Sequence, residues 1–188
     1  MENEFDDMFD EYEKDMDKEG QGEKEKAPGE KEGEEAIGDL DEFSKMMGVK
    51  PKSAAIISGL DKISLCSLLA LCDIPADCFE GNRGSFALLD VSGRDPEKDA
   101  ESLTSALRGL EVILAVNRDQ TLYAKVYKEG KKKEKMAPPI ALFGFPKLKL
   151  YLIGASSLSE LKEGEAPVNS LSITKEEAFA LLKQMFKN

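Results

Sequence analysis

Beyond residue 50 the apolar positions of this chain change period repeatedly, and each change marks the edge of an element. Ser53–Ser58 holds Ala54-Ala55-Ile56-Ile57, a run too short to divide between strand and helix. Leu65, Leu68, Leu69 and Leu71 then belong to a helix that is apolar nearly all round and therefore central. Asp61 or Ser64 can cap its start, and Pro75 bars its continuation. Gly81-Asn82-Arg83-Gly84 is a turn signal, followed by a buried strand over Ser85–Val91. Asp95-Pro96 opens a helix carrying Ala100, Leu103, Ala106, Leu107 and Leu110, with proline in the first turn, where its missing N–H costs nothing.

Glu111–Asn117 reads as a second strand and Arg118-Asp119-Gln120 as a short loop. Thr121–Tyr127 is its hairpin partner, with Leu122, Ala124 and Val126 on one face and Tyr123, Lys125 and Tyr127 on the other. Ile140–Phe145 and Lys147–Ile153 read as two more strands, because Leu148, Leu150 and Leu152 alternate with Lys147, Lys149 and Tyr151. Thr174-Lys175-Glu176-Glu177 is a capping box, opening a last helix whose core face is Ala178, Leu181, Leu182 and Met185. The predicted fold class is α+β: one compact domain over 37–188, with a mixed β-sheet and three to four helices. The strand–helix–strand order from Ser85 to Asn117 predicts one parallel pair joined by a right-handed crossover.

The first 36 residues follow another rule. Phe5, Met8, Phe9, Tyr12 and Met16 fall on one helical stripe within the segment 4–17, and almost every residue between them is acidic. Such a short peptide is a marginal helix alone, so it is expected to order only against a partner. Glu19–Ala36 has no aliphatic or aromatic side chain larger than Ala and reads as a flexible Glu/Lys/Gly tether. A chain of that length and composition reaches roughly 20–25 Å on average. Residues 1–36 are therefore expected to form a disordered acidic arm. Ile37, Leu40, Phe43 and Met47 make a second stripe ending at Gly48, which reads either as a second docking element or, the favoured reading, as the first helix packed on the body.

Charge sharpens the division. Met1–Phe43 holds 19 acidic residues against five lysines, net −14, whereas Ser44–Asn188 is net +3. Histidine is absent, which removes imidazole bases, Ser-His and Cys-His nucleophile pairs and His metal ligands. Cys66, Cys72 and Cys78 are six residues apart, a spacing that puts neighbours on different helix faces and does not match zinc sites. No metal or cofactor is expected. No apolar run approaches the ~18 residues of a membrane span, and the acidic start lacks the features of a signal peptide. The expected location is the cytoplasm, with no membrane insertion.

Three sets of candidate site residues follow. Phe5, Met8, Phe9, Tyr12 and Met16 are candidates for docking into a protein partner with an apolar groove and a basic rim. Lys125, Lys131, Lys132, Lys133 and Lys135, the last four read as a mobile loop tip, are candidates for polyanion binding, with Tyr123, Tyr127 and Tyr151 nearby for stacking. Asp90, Ser92 and Arg94, after a strand and before a helix, are candidates for holding a small ligand or a reaction. The leading reading is a non-enzymatic adaptor or regulatory protein. The alternatives are a nucleic-acid-associated factor using Lys131–Lys135 and a small ligand-binding or enzymatic domain near Asp90. Arg118–Lys149 holds nine basic residues against three acidic ones, and the −14 arm can also fold back over this basic strip and shield it.

Overall fold

A computed structural model of the chain describes residues 40–164 and 166–185. The acidic segment 4–17 and its tether lie outside the described residues. The body opens with a helix whose described part is 40–46, called α1. Strand β1 (Ser53–Ser58), helix α2 (Lys62–Leu71), strands β2 (Ala76–Gly81) and β3 (Gly84–Leu89), helix α3 (Pro96–Ala106) and strand β4 (Glu111–Arg118) follow. Strands β5 (Thr121–Lys128) and β6 (Lys131–Met136) come next. Then come three short helices, α4 (Pro138–Ala141), α5 (Pro146–Leu152) and α6 (Leu158–Lys162). A two-residue strand β7 (Val168–Asn169), a 3₁₀ turn at Ser170–Ser172 and helix α7 (Lys175–Met185) close the chain.

The seven strands form one sheet in the order β6-β5-β4-β1-β3-β2-β7. Its central part, β4-β1-β3-β2 with α2 and α3 as crossovers, has the topology of the split β-α-β plait. The α+β class stands, but the sheet is antiparallel throughout rather than mixed. The strand–helix–strand unit explains the difference. β3 and β4 do run the same way, since both pair antiparallel with β1, but β1 lies between them and takes both sets of hydrogen bonds.

Period-2 alternation builds a layer on each face. Ala54, Ile56, Cys78, Ala87, Val112 and Leu114 point to one side, under α2, α3 and α7, where Leu65, Leu69, Leu103 and Leu182 meet them. Ala55, Ile57, Phe86, Leu88 and Ala115 point to the other, under Leu142, Phe145, Leu148, Leu152 and Leu161 of the α4–α6 segment. On this second face Phe79 and Phe86 stack with centroids 5.0 Å apart, and Phe145 meets Phe86 edge-on at 5.8 Å. Each fully buried large side chain contributes about 1.5–3 kcal/mol, so burying both faces is what lets the sheet persist.

Caps land where the sequence puts them. Asp61 accepts from Ile63 and Ser64 backbone N–H groups at the start of α2, and Asp95 accepts from Glu97 N–H at the start of α3. Glu177 accepts from the Thr174 N–H at 2.9 Å, closing the predicted capping box of α7.

Other expectations are corrected. Ile140–Phe145 and Lys147–Ile153 are not strands but α4 and α5, with a turn between them. Prolines at the first turns of both helices start them. In α5 Leu148 and Leu152 are buried four residues apart, while Leu150 faces out, so the apparent alternation was a helical period sampled too briefly. Lys131–Lys135 is not a loop tip but part of the edge strand β6. Ala76–Gly81, unread in the sequence, is β2, paired to β3 through the Gly81–Gly84 turn. The described residues hold seven α-helices rather than three or four, and α3 ends at Ala106, four residues before Leu110.

That turn yields a test. Gly84 has φ +118°, and a Cβ there would collide with the Ser58 carbonyl oxygen on the neighbouring strand. Gly84→Ala is expected to destabilise the fold by more than ~2 kcal/mol, read as a lower urea midpoint with an unchanged slope.

Candidate functional site

The inward rows of β4 and β5 each carry a charge. Val112, Leu114 and Val116 point into the α3-side core, and the next inward position on β4 is Arg118. On β5 the same row runs Tyr123, Lys125 and Tyr127, all buried. The two-residue turn Asp119-Gln120, with both φ angles positive at 47° and 64°, fixes this hairpin's register and places Arg118 opposite Thr121. Arg118 and Lys125 are only 3% and 5% exposed. Two cations so placed demand anions, because an unpaired buried charge costs several kcal/mol.

The anions come from two helices. Glu97, in the first turn of α3, accepts two hydrogen bonds from Arg118 Nη2, at 3.0 and 2.9 Å. Asp41 of α1 accepts from Arg118 Nε at 3.1 Å and also from Lys125 Nζ. Arg118 Nη1 donates to the Val49 carbonyl at 3.0 Å, tying down the segment after α1. Lys45, one turn along α1, pairs with Glu97 at 2.9 Å. Glu42 pairs with Lys132 of β6 at 2.7 Å. The four buried groups, two of each sign, sum to zero.

Burial by itself raises the Glu97 carboxyl, but hydrogen bonds with Asp95 and Lys45 and the charges of Arg118 and Lys45 outweigh it and hold it at about 2. Asp95 moves the other way, pushed up first by burial and then by its bond with Glu97. Acid therefore reaches Asp95 before Glu97, and Glu97 stays charged well below neutral pH.

This arrangement turns α1 over. The sequence stripe, whose Ile37 lies outside the described residues, was expected to pack on the body. Instead the polar side is pinned down, and Leu40, Phe43, Met46 and Met47 stand 53%, 59%, 87% and 67% exposed. Ion pairing, not burial of apolar surface, docks this helix.

The other sequence-predicted residues fall as follows. Phe5, Met8, Phe9, Tyr12 and Met16 lie outside the described residues. Lys125 is interior and paired with Asp41, so it does not share a surface with the other lysines. Lys131, Lys132, Lys133 and Lys135 are exposed along β6, with Lys132 paired to Glu42 and Lys133 to Glu129. Glu42 of α1 thus meets the exposed lysines of β6, through Lys132. Asp90 accepts from the Ser92 N–H at 2.9 Å, which closes the loop and holds its carboxyl below the usual range. Arg94 is turned away to Asp99, with bonds of 3.2 and 2.6 Å.

Sheet-based binders of single-stranded RNA stack bases on aromatics of an open face; here Phe79 and Phe86 are both buried, with Phe145 edge-on against Phe86. Cys66 and Cys78 are buried thiols, and Cys72, half-buried, is pushed up by burial. Among the described residues no group of His, Cys, Asp or Glu is placed to hold a metal ion, and no helix is long and apolar enough to cross a membrane.

Sequence reasoning missed Arg118, Glu97 and Asp41. The signal was there for Arg118, which continues the inward row of β4 without a break in period. Asp41 and Glu97 carried none, since both sit on helix turns where an acid is ordinarily solvated. Compared with known proteins, the chain matches no family model, no curated protein and no solved structure.

The depressed Glu97 carboxyl makes stability pH-dependent. Its contribution is complete above an ordinary glutamate's value of 4.5 and is lost as pH falls from there to about 2. That loss amounts to about 3 kcal/mol. Glu97→Gln is expected to cost about 3 kcal/mol at neutral pH and to flatten this acid slope, measured by urea denaturation across pH 2–7.

Proposed function

We propose that this protein is a non-enzymatic adaptor that engages a protein partner through the N-terminal part of its chain, with α1 as one end of the binding element. The observation that carries this reading is the outward-facing stripe Leu40, Phe43, Met46 and Met47 on a helix held down by its charged side. Single exposed apolar residues are ordinary. Four within eight residues, on an element whose polar groups are committed inward, form a patch that marks an interaction surface. Two methionines suit it to imperfect or varied contours.

The ion pairs also prepare α1 for binding. Because Asp41 and Lys45 already fix its backbone, a partner does not have to order it, and less of the contact energy is lost to entropy. The residues ahead of α1 in sequence carry the acidic segment with Phe5, Met8, Phe9, Tyr12 and Met16. A partner for both would offer an apolar groove with a basic rim. Three unpaired cysteines fit a reducing compartment such as the cytoplasm.

The test is affinity capture with the full chain from native extract, comparing wild type with a Phe43→Ser, Met46→Ser, Met47→Ser variant. Each buried anchor contributes about 1.5–3 kcal/mol to a complex, so the specifically retained protein should fall at least tenfold in yield. These side chains bury little in the free protein, so its stability should stay within about 0.5 kcal/mol per substitution. Equal capture by both chains, at equal stability, would remove the α1 stripe from the proposal.

A further inference from the structure

A second surface, on the α4–α6 face, has the opposite electrostatic character. Two clefts open there, one on each side of Phe145. One, of about 250 Å³, is lined by Ile57, Arg83, Ile113, Ile140 and Phe143 among others. The other, of about 200 Å³, is lined by Asn82, Phe86, Pro146, Lys147 and Leu161 among others. Both are smaller than the ~300–1,000 Å³ of small-molecule pockets, and each suits a single large side chain.

The rim between them is apolar and basic. Ile140 and Phe143 are 67% and 64% exposed. The Arg83 guanidinium, at the tip of the β2–β3 turn, lies 4.7 Å from the centroid of the Phe143 ring. Its stem crosses Gly144, where an added Cβ would sit 3.1 Å from Arg83 Cδ. Among the described residues no carboxylate pairs with Arg83, Lys147 or Lys149; Lys147 donates only to the Glu163 carbonyl, at 2.9 Å. The two acids lining the clefts are drawn elsewhere. Glu111 faces Lys128 at 3.5 Å, and Glu80 accepts from the Lys62 N–H at the start of α2. From Lys135 to Ser159 the chain contains no Asp or Glu.

We propose that this surface docks an acidic amphipathic segment of a partner protein, with apolar side chains in the clefts flanking Phe145 and carboxylates on Arg83 and Lys147. Charge complementarity selects the occupant: unpaired cations beside exposed apolar groups attract an acidic peptide and repel a basic one. A polynucleotide would need a row of cations along its phosphates, whereas this rim sets two beside side-chain-sized hollows. The surface is separate from the α1 stripe, so failure of binding here leaves the α1 stripe's own test standing.

A labelled peptide with the sequence of residues 2–17 serves as an acidic amphipathic probe, titrated onto the full chain by fluorescence anisotropy. Saturable binding is expected, weakened at least tenfold by Arg83→Glu and by Phe143→Ala, and unchanged by Lys98→Glu on α3. Both rim residues are exposed, so unchanged melting temperatures should accompany the loss. A Phe5→Ala, Phe9→Ala chain is measured alongside. Absence of binding in both this chain and wild type overturns the proposal, as does an Arg83→Glu chain that binds like wild type. Tighter peptide binding by the Phe5→Ala, Phe9→Ala chain would overturn the partner assignment by making the chain's own segment the occupant.

Discussion

Arg118 and Lys125 are two positive charges committed to the interior by strand alternation, and much of the surrounding architecture answers to them. Neither can be left unpaired away from water, and neither can turn outward without breaking the register of the β4–β5 hairpin. Glu97 therefore sits at the first turn of α3, aimed at the sheet, and α1 must bring Asp41 to the remaining donors. Once Asp41 and Lys45 face inward, a helix of this length has no choice about its other side. Phe43 and the two methionines face solvent because the charges took the inside.

A buried quartet of this kind is a poor source of net stability compared with a well-packed apolar core, but it sets a definite geometry. A greasy α1 could slide or rotate on the sheet. An α1 held through Arg118, Lys125, Glu97 and Lys132 has a single seating. That is a property suited to a helix that must present a surface rather than fill a core.

Much of the body was legible in the sequence. Asp61, Asp95 and Thr174 mark helix starts through local chemistry that depends on a few neighbouring residues, and all three hold. The β4–β5 hairpin was legible because Tyr123–Tyr127 alternate over a full strand length. The misread stretches are those where local signals run short. Lys147–Ile153 spans two helical turns, too few to separate period 2 from period 3.6, and the prolines that open α4 and α5 were the better guide. β6 was read as loop because a lysine-rich edge strand has no buried face to pattern it. The seating of α1 could not be read from its own residues. It depends on partners 77 and 84 positions away, in strands whose inward charge only the fold reveals.

The edge strand itself has a consequence. β6 ends the sheet with Lys131, Lys132, Lys133 and Lys135 in six residues, along backbone that no further strand among the described residues covers. Two such borders brought together in solution would set ammonium groups against one another before any interchain ladder formed. This repulsion opposes edge-to-edge pairing of copies along this margin, and it weakens as salt rises.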